Sequence, residues 1–271
     1  MPEPDAKADL DLLCQTVLEA GSIARGFFGG AYKRWSKEQG SPVTEADLAV
    51  DAFLRKRLCA ARPAYGWLSE ESEDDKSRLG HDTLFIVDPI DGTVAFLKAR
   101  PHFTICAAVV HDGRPVAGVV YNPILDEMFT AARGDGATMN QAPIRVSDRQ
   151  QLDGCRMLTS RDLIAHPAWS TPPNRAWPAM EIENRSSIAY RMALVANGSF
   201  DAMMALSAKR DWDLAAAEIV LTEAGGLVST HDGSVLRYNT PGAMHSSVIG
   251  AGPKLHAAII ERVAHLVLPR K

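Results

Sequence analysis

The chain has 271 residues, of which 46% are hydrophobic and 23% are charged. This length allows a large buried core, and the ordinary composition excludes a disordered or fibrous protein. The net charge of −4 provides no global positive field, so no nucleic-acid polymer is expected as a partner.

The ends of the chain and its cysteines predict a cytoplasmic protein. Residues 1–5 lack the basic and apolar regions of a secretory signal, and no apolar run is long enough to insert into a membrane. The four cysteines lack the spacing of zinc-ligand pairs and are expected as reduced thiols. They are Cys14, Cys59, Cys106 and Cys155.

The periodicity of apolar residues predicts an α+β protein in two halves. In the first half we expect helices over residues 6–28 and 44–61, a short strand at 67–69, a long strand from 84, and strands over 103–110, 115–121 and 127–132. Turns join the last three strands, which predicts an antiparallel sheet and argues against simple β-α-β alternation. A change of composition near residues 147–154 predicts the boundary between residues 1–150 and 151–271. The second half is predicted to contain strands over residues 155–159, 201–206, 227–229 and 246–250, and helices over 188–196, 214–224 and 253–266.

The most informative stretch is the apolar strand that runs from Leu84 into Asp88-Pro89-Ile90-Asp91-Gly92-Thr93. Pro89 has no backbone N–H, so the ladder is predicted to end there in a tight turn. Asp88 and Asp91 would then face one point, where their mutual repulsion favours a bound cation. Carboxylate oxygens are ligands that Mg²⁺, Mn²⁺ and Ca²⁺ prefer.

Three further acids stand at the ends of predicted elements. Glu70 follows a short strand directly, so its side chain can point inward. Asp47 lies three residues after Thr44 and Asp213 lies near a helix start, and for each of them simple helix capping is the alternative interpretation.

Four motifs in order make the chain similar to the inositol monophosphatase superfamily of Mg²⁺-dependent, Li⁺-inhibited phosphatases. The motifs extend over nearly the whole chain and are specific in combination. They are Ser41-Pro42-Val43-Thr44-Glu45-Ala46-Asp47, Ser69-Glu70-Glu71, Asp88-Pro89-Ile90-Asp91-Gly92-Thr93, and Trp212-Asp213-Leu214-Ala215-Ala216 followed by Glu223-Ala224-Gly225-Gly226.

The resemblance implies a layered α-β-α-β-α fold, a homodimer, and two or three Mg²⁺ ions. It implies that the ions are held by Glu70, Asp88, the Ile90 carbonyl, Asp91 and Asp213. It further implies that Thr93, paired with Asp47, orients the attacking water, with Glu70 also catalytic. The backbone N–H groups of Gly92 and Thr93 would hold the phosphate, in keeping with the affinity of helix starts for anions.

The substrate is the open question at this stage. Leu206 stands where the inositol-specific branch has an acid that binds sugar hydroxyls, and a missing hydrogen bond discriminates strongly. The 3′(2′),5′-bisphosphate nucleotidase branch is more similar around residues 187–196, where Arg191 keeps a cation. Other candidate contacts to a second phosphate are Lys209, Arg210 and Lys37.

We therefore expect a phosphoric monoester hydrolase that acts on a small phosphorylated substrate, with adenosine 3′,5′-bisphosphate as the first choice. The alternatives are an inositol monophosphatase of broad specificity, a histidinol phosphatase, or a non-catalytic module that binds a ligand on the same fold.

Overall fold

The computed structural model describes residues 4–36 and 42–268. Segments with helical spacing of apolar residues form the helices, and continuous apolar or alternating segments form the strands. The elements in chain order are α1 (Ala6–Phe27), β1 (Arg34–Ser36), β2 (Pro42–Thr44), α2 (Glu45–Ala61), β3 (Gly66–Ser69), β4 (Thr83–Asp91), α3 (Thr93–Leu97), β5 (Thr104–His111), β6 (Arg114–Asn122), β7 (Glu127–Ala132), β8 (Ala137–Met139), β9 (Ala142–Pro143), β10 (Arg156–Leu158), α4 (Arg161–Ile164), β11 (Glu181–Glu183), α5 (Ile188–Ala196), β12 (Ala202–Ala205), β13 (Lys209–Arg210), α6 (Asp211–Glu223), β14 (Leu227–Ser229), β15 (Met244–His245), β16 (Val248–Ala251) and α7 (Pro253–Val263).

Two sheets form the framework. The first has seven strands in the order β3-β4-β5-β6-β7-β8-β9, and the second has five in the order β11-β10-β12-β16-β14. Strands β4 to β9 pair antiparallel, as the run of turns predicts, whereas β3 pairs parallel with β4. No helix in residues 4–36 and 42–268 is long and apolar enough to span a bilayer.

The helices and sheets alternate in five layers, because each sheet buries apolar side chains on both faces. Helices α1 and α2 share one core with the outer face of the first sheet. Helices α5 and α6 lie between the two sheets in the largest core, and α7 covers the outer face of the second sheet. This arrangement confirms the predicted α+β fold with α-β-α-β-α layers. The domain boundary at residue 150 stays a prediction.

Gly118 in β6 allows α6 to lie directly on the first sheet. A Cβ atom there would lie 2.6 Å from Ile219 Cγ2 and 2.8 Å from the Ala216 carbonyl oxygen. Both distances are shorter than real Cβ contacts, so a side chain at this position would push the helix outward. The close approach matters because the first turn of α6 carries Asp213.

Candidate metal centre

Three carboxylates converge at the end of β4 and the start of α6. One oxygen from each of Asp88, Asp91 and Asp213 lies within 4.8 Å of the others. Asp88 and Asp91 belong to one strand, whereas Asp213 comes from more than a hundred residues further along the chain. The structure therefore brings together acids from both predicted halves, although their role as metal ligands stays a prediction.

The end of β4 differs from the sequence-based expectation. The strand does not stop at Pro89 but continues to Asp91 through a bulge, with Asp88 opposite Cys106 and Asp91 opposite Thr104. A bulge accommodates a residue without an N–H because it interrupts the ladder locally. The interrupted ladder leaves the Ile90 N–H to donate to Asp88 Oδ1 at 3.0 Å.

Asp88 carries the clearest sign of a cation site. Its side chain is 1% exposed, and its Oδ2 atom is buried with no hydrogen-bond partner among residues 4–36 and 42–268. Burial raises the pKa of Asp88 well above its usual value, and the charges of Glu70, Asp91 and Asp213 raise it further. An oxygen in this state fits a divalent cation, which supplies both the missing partner and the opposing charge.

Asp91 is held by α5, from the other half of the chain. Its Oδ2 accepts hydrogen bonds from the Ser187 hydroxyl at 2.6 Å and from the Ala189 N–H at 2.7 Å. Burial raises the pKa of Asp91 to about 6, and these hydrogen bonds oppose the shift. Sequence reasoning did not identify Ser187 as a supporting residue; its only local signal is that of a helix N-cap.

Asp213 occupies the third position of α6. Its Oδ2 accepts a hydrogen bond from the Arg210 N–H at 2.7 Å, so the capping interaction that the sequence suggests is present. Burial raises the pKa of Asp213 to about 7, with the charge of Asp91 as the next cause. Capping and metal binding are compatible, because each involves a different lone pair of the same carboxylate.

Glu70 lies close to this cluster but is not one of the three acids whose oxygens lie within 4.8 Å of one another. Its charge raises the pKa values of Asp88, Asp91, Asp213 and Asp47. Its backbone N–H donates to the Val87 carbonyl at 3.3 Å, which continues the pairing of β3 with β4 beyond Ser69.

Asp51 in α2 supports the segment that carries Glu70. The Ser69 hydroxyl donates to Asp51 Oδ1 at 2.5 Å, and the Ser72 hydroxyl donates to Asp51 Oδ2 at 2.9 Å. The two serines flank Glu70 and Glu71, so both ends of this turn are attached to one buried helix residue. Sequence reasoning did not identify Asp51, because one acid among the apolar positions of a helix gives no specific signal.

Asp47 and Thr93 meet beside the cluster. Asp47 Oδ2 accepts from the Thr44 N–H at 2.8 Å and from the Thr44 hydroxyl at 2.5 Å, which leaves Oδ1 facing Thr93 Oγ at 3.3 Å. Thr93 Oγ also lies 3.1 Å from the Ile90 carbonyl oxygen. A hydroxyl has one proton, so Thr93 donates to either Asp47 or Ile90, but not to both.

Gly92 permits the tight approach between this turn and α5. Its φ angle is +98°, and a Cβ atom would lie 3.1 Å from the Ser187 nitrogen and 3.2 Å from the His102 carbonyl oxygen. Both features favour glycine at this position. Binding of phosphate by the Gly92 and Thr93 N–H groups stays a prediction.

A cavity of about 440 Å³ between β12 and the start of α5 contains two of the predicted substrate cations, Arg191 and Lys209. Arg191 donates through Nε to the Arg185 carbonyl at 2.6 Å. Lys209 donates to Ser207 Oγ at 2.8 Å, and its charge lowers the pKa of Asp213. Apolar side chains make up much of the remaining wall: Leu163, Ile188, Met204, Ala205 and Leu206.

The other two predicted substrate cations are Arg210 and Lys37. The Arg210 guanidinium lies 5.8 Å from the centre of the Trp212 ring and donates to the Gly242 carbonyl at 3.2 Å, and Arg210 does not line the cavity. Lys37 lies outside the described residues, so its predicted contact stays a prediction.

The pKa values of the cluster predict how cation binding depends on pH. Because the folded pKa values of Asp91 and Asp213 are raised to about 6 and about 7, protonation of these groups favours the metal-free folded state at low pH. That contribution is lost as the pH rises through 6 to 7, while the ionised acids become available to a cation. We expect Mg²⁺ to raise the melting temperature more at about pH 8 than at about pH 5. Equal shifts, measured by thermal unfolding at both pH values, would contradict this expectation.

Comparisons with known proteins agree with this geometry. The model of the inositol monophosphatase family matches residues 5–268. Inositol-1-monophosphatase of Rhizobium meliloti is 34% identical over 235 residues, which cover 83% of this chain and 86% of that protein. Nus factor SuhB of Escherichia coli K12 is 34% identical over 195 residues, which cover 70% and 72%.

A solved structure gives the same result in three dimensions. The crystal structure of the extragenic suppressor protein suhB from Bartonella henselae superposes with a TM-score of 0.80 at 29% identity. The match covers 96% of this chain and 100% of that one. These findings confirm the sequence-based prediction of a phosphoric monoester hydrolase, and they do not single out the bisphosphate nucleotidase branch. This chain belongs to the inositol monophosphatase family.

Proposed function

We propose that this protein hydrolyses a small phosphate monoester with the help of Mg²⁺ held by Asp88, Asp91 and Asp213, together with Glu70 and the Ile90 carbonyl. The observation that carries the proposal is the convergence of three acids, one of which, Asp88, has a buried Oδ2 with no hydrogen-bond partner among the described residues. Bound Mg²⁺ supplies positive charge that neutralises phosphoryl oxygens and favours ionisation of a water molecule.

The chain's own residues would prepare the attacking water. In this proposal the Thr93 hydroxyl donates a hydrogen bond to Asp47 Oδ1, so the Thr93 oxygen can accept a hydrogen bond from the attacking water. When the water loses its proton to Thr93, the Thr93 proton passes to Asp47, which ends protonated. Thr44 fixes Asp47 from the other side through Oδ2, which keeps Oδ1 directed at Thr93. The Gly92 and Thr93 N–H groups would orient the phosphate at the start of α3.

The cavity supports a substrate with a second anionic group, and we propose adenosine 3′,5′-bisphosphate. Arg191 and Lys209 supply positive charge. Among the described residues that line the cavity, Leu206 included, none has a carboxylate to bind the hydroxyls of an inositol ring. The second candidate is inositol 1-phosphate, because a relative that is 34% identical is named inositol-1-monophosphatase.

A substrate panel separates these candidates. Released phosphate would be measured at equal Mg²⁺ with adenosine 3′,5′-bisphosphate, 3′-AMP, inositol 1-phosphate and histidinol phosphate. We expect the highest kcat/KM for the bisphosphate, and a preference for inositol 1-phosphate would make the second candidate the better one. If no ester is hydrolysed although Mg²⁺ binds, the protein is a binding module rather than an enzyme.

Lys209→Met tests the assignment of the second anion. Loss of a charge-assisted hydrogen bond costs roughly 1.5–3 kcal/mol, so the KM for the bisphosphate should rise by about tenfold or more. The substrate 3′-AMP carries only the phosphate that is removed, so its KM should change much less. Equal changes for both substrates would show that Lys209 acts on the shared reaction centre and not on a second anion.

We further propose a cytoplasmic homodimer that is inhibited by Li⁺. The four cysteines are free thiols, as a reducing compartment favours, and the resemblance to the family supports the dimer and the inhibition. Size-exclusion chromatography with light scattering, and activity with increasing LiCl, test the last two points.

A further inference from the structure

A buried arginine links the two segments that carry Glu70 and Asp213. Arg78 lies in a short 3₁₀ turn, Ser77–Gly80, and its side chain is 1% exposed. Neither the proposed chemistry nor the sequence motifs use it. An arginine buried to this degree needs partners for its charge and for its five N–H donors, and those partners show what it holds.

On one side Arg78 binds its own segment. Its Nε and Nη2 atoms donate to the two carboxylate oxygens of Asp74, both at 2.9 Å, in a bidentate pair. Asp74 follows Glu70 by four residues, in the connection from β3 to β4. The planar fork of arginine suits this geometry, which a lysine ammonium does not reproduce.

On the other side Arg78 binds a segment far along the chain. Its Nη1 donates to Asn239 Oδ1 at 2.8 Å, and its Nη2 donates to the Thr240 carbonyl at 3.1 Å. The Asn239 amide returns hydrogen bonds to the carbonyls of Arg78 and His81, both at 3.3 Å. Four side-chain hydrogen bonds therefore join segments that are about 160 residues apart in sequence.

The second segment is in turn attached to the first turn of α6. The Asn239 N–H donates to Asp211 Oδ2 at 2.9 Å, and Asp211 precedes Asp213 by two residues. The other Asp211 oxygen lies 3.1 Å from His245 Nε2, and Asp211 is fully buried. The hydrogen bond from Asn239 therefore holds Asp211 at the helix start, where a shift would move Asp213 with it.

From this chain of contacts we infer that Arg78 is a positioning residue, which sets the separation between Glu70 and Asp213 by tying Asp74 to Asn239. The inference rests on the proposed function, in which these two acids hold divalent cations. Residues that orient metal ligands without touching the metal typically change its affinity by roughly 10–100-fold.

The test measures cation affinity directly. Mg²⁺ binding to the metal-free protein would be followed by titration calorimetry for the wild type, Arg78→Lys and Asn239→Gly. Glycine accepts the φ of +57° at position 239 and keeps the N–H that reaches Asp211. We expect each variant to bind Mg²⁺ about tenfold more weakly, with activity restored by excess Mg²⁺.

Two controls separate positioning from loss of stability. Leu255→Ala removes a buried side chain on the outer face of the second sheet and should lower the melting temperature without changing Mg²⁺ affinity. In the double variant Arg78→Lys/Asn239→Gly, the loss of affinity should not exceed the larger single loss, because both changes break one connection.

Unchanged Mg²⁺ affinity in both folded single variants would overturn the positioning role, as would losses that simply multiply in the double variant. If the wild type itself binds no Mg²⁺ and hydrolyses no ester, the proposed function fails and this inference fails with it. Wild-type binding with unaffected variants removes the inference alone.

Discussion

Replacing Asp88 by Asn is expected to abolish activity and to stabilise the metal-free protein. Asp88 belongs to the acid cluster, and its Oδ2 is buried with no hydrogen-bond partner among the described residues. The amide cannot supply the negative charge that a divalent cation needs, so kcat/KM should fall by at least about a thousandfold, or roughly 4 kcal/mol. The measurement is phosphate release at saturating Mg²⁺.

The gain in stability has a separate cause. Burial and the neighbouring acids raise the pKa of Asp88. Near neutral pH the metal-free folded state is therefore destabilised, because this carboxyl must either take up a proton or keep its charge close to those of the other acids. Asn is neutral and has the same shape, and we expect the free energy of unfolding without metal to rise by about 1–3 kcal/mol. Exposed Asp135→Asn is the control and should change neither property. Retained activity, or lower stability without metal, would argue against a cation at Asp88.

Asp91→Asn and Asp91→Ala should have the same effect on activity but different effects on stability. Both remove a proposed ligand, so each should lower kcat/KM by about a thousandfold or more. The Asn side-chain oxygen still accepts hydrogen bonds from the Ser187 hydroxyl and the Ala189 N–H, so the fold should remain nearly intact. In the Ala variant these donors lose their partner, which costs roughly 1–3 kcal/mol of unfolding free energy.

The comparison of these variants distinguishes two roles of one carboxylate. Chemical denaturation measures how much the hydrogen bonds between Asp91 and the start of α5 stabilise the fold. Phosphate release measures how much Asp91 contributes to activity at the candidate metal centre. If Asp91→Asn keeps most of the wild-type rate, Asp91 serves only to attach α5 to the turn after β4. Ser187→Ala should lower stability with a smaller loss of activity, because Ala189 still holds the same oxygen.

The acids of the candidate site could be predicted because each stands at a local structural boundary. Asp88 and Asp91 end a strand, Glu70 follows one, and Asp213 lies in the first turn of a helix, so their neighbours in sequence reveal where they lie. The bulge in β4 was not predicted, because a proline was expected to end the ladder rather than interrupt it. The sequence shows that Pro89 has no N–H to donate to the ladder, but the pairing of Asp91 with Thr104 beyond it depends on the neighbouring strand β5.

The supporting residues could not be predicted in this way. Ser187 resembles any helix N-cap, and Arg78 lies in a charged segment that resembles a solvated loop. Their partners, Asp91 and Asn239, are 96 and 161 residues away. No sequence period connects such pairs, since their meeting depends on how whole layers pack.

The sequence by itself predicted the α+β class from hydrophobic periodicity, and its four motifs in order predicted the family. The resemblance to that family implied the α-β-α-β-α layers and the full set of candidate cation-binding residues. Only the tertiary structure decided which oxygens lie within 4.8 Å of one another, which buried carboxylate oxygens have no hydrogen-bond partner among the described residues, and which cations line the cavity. The physical reason is that desolvation and charge repulsion depend on distance in space. Residues far apart in sequence are desolvated together and repel one another only when the two sheets pack against α5 and α6 in the folded protein.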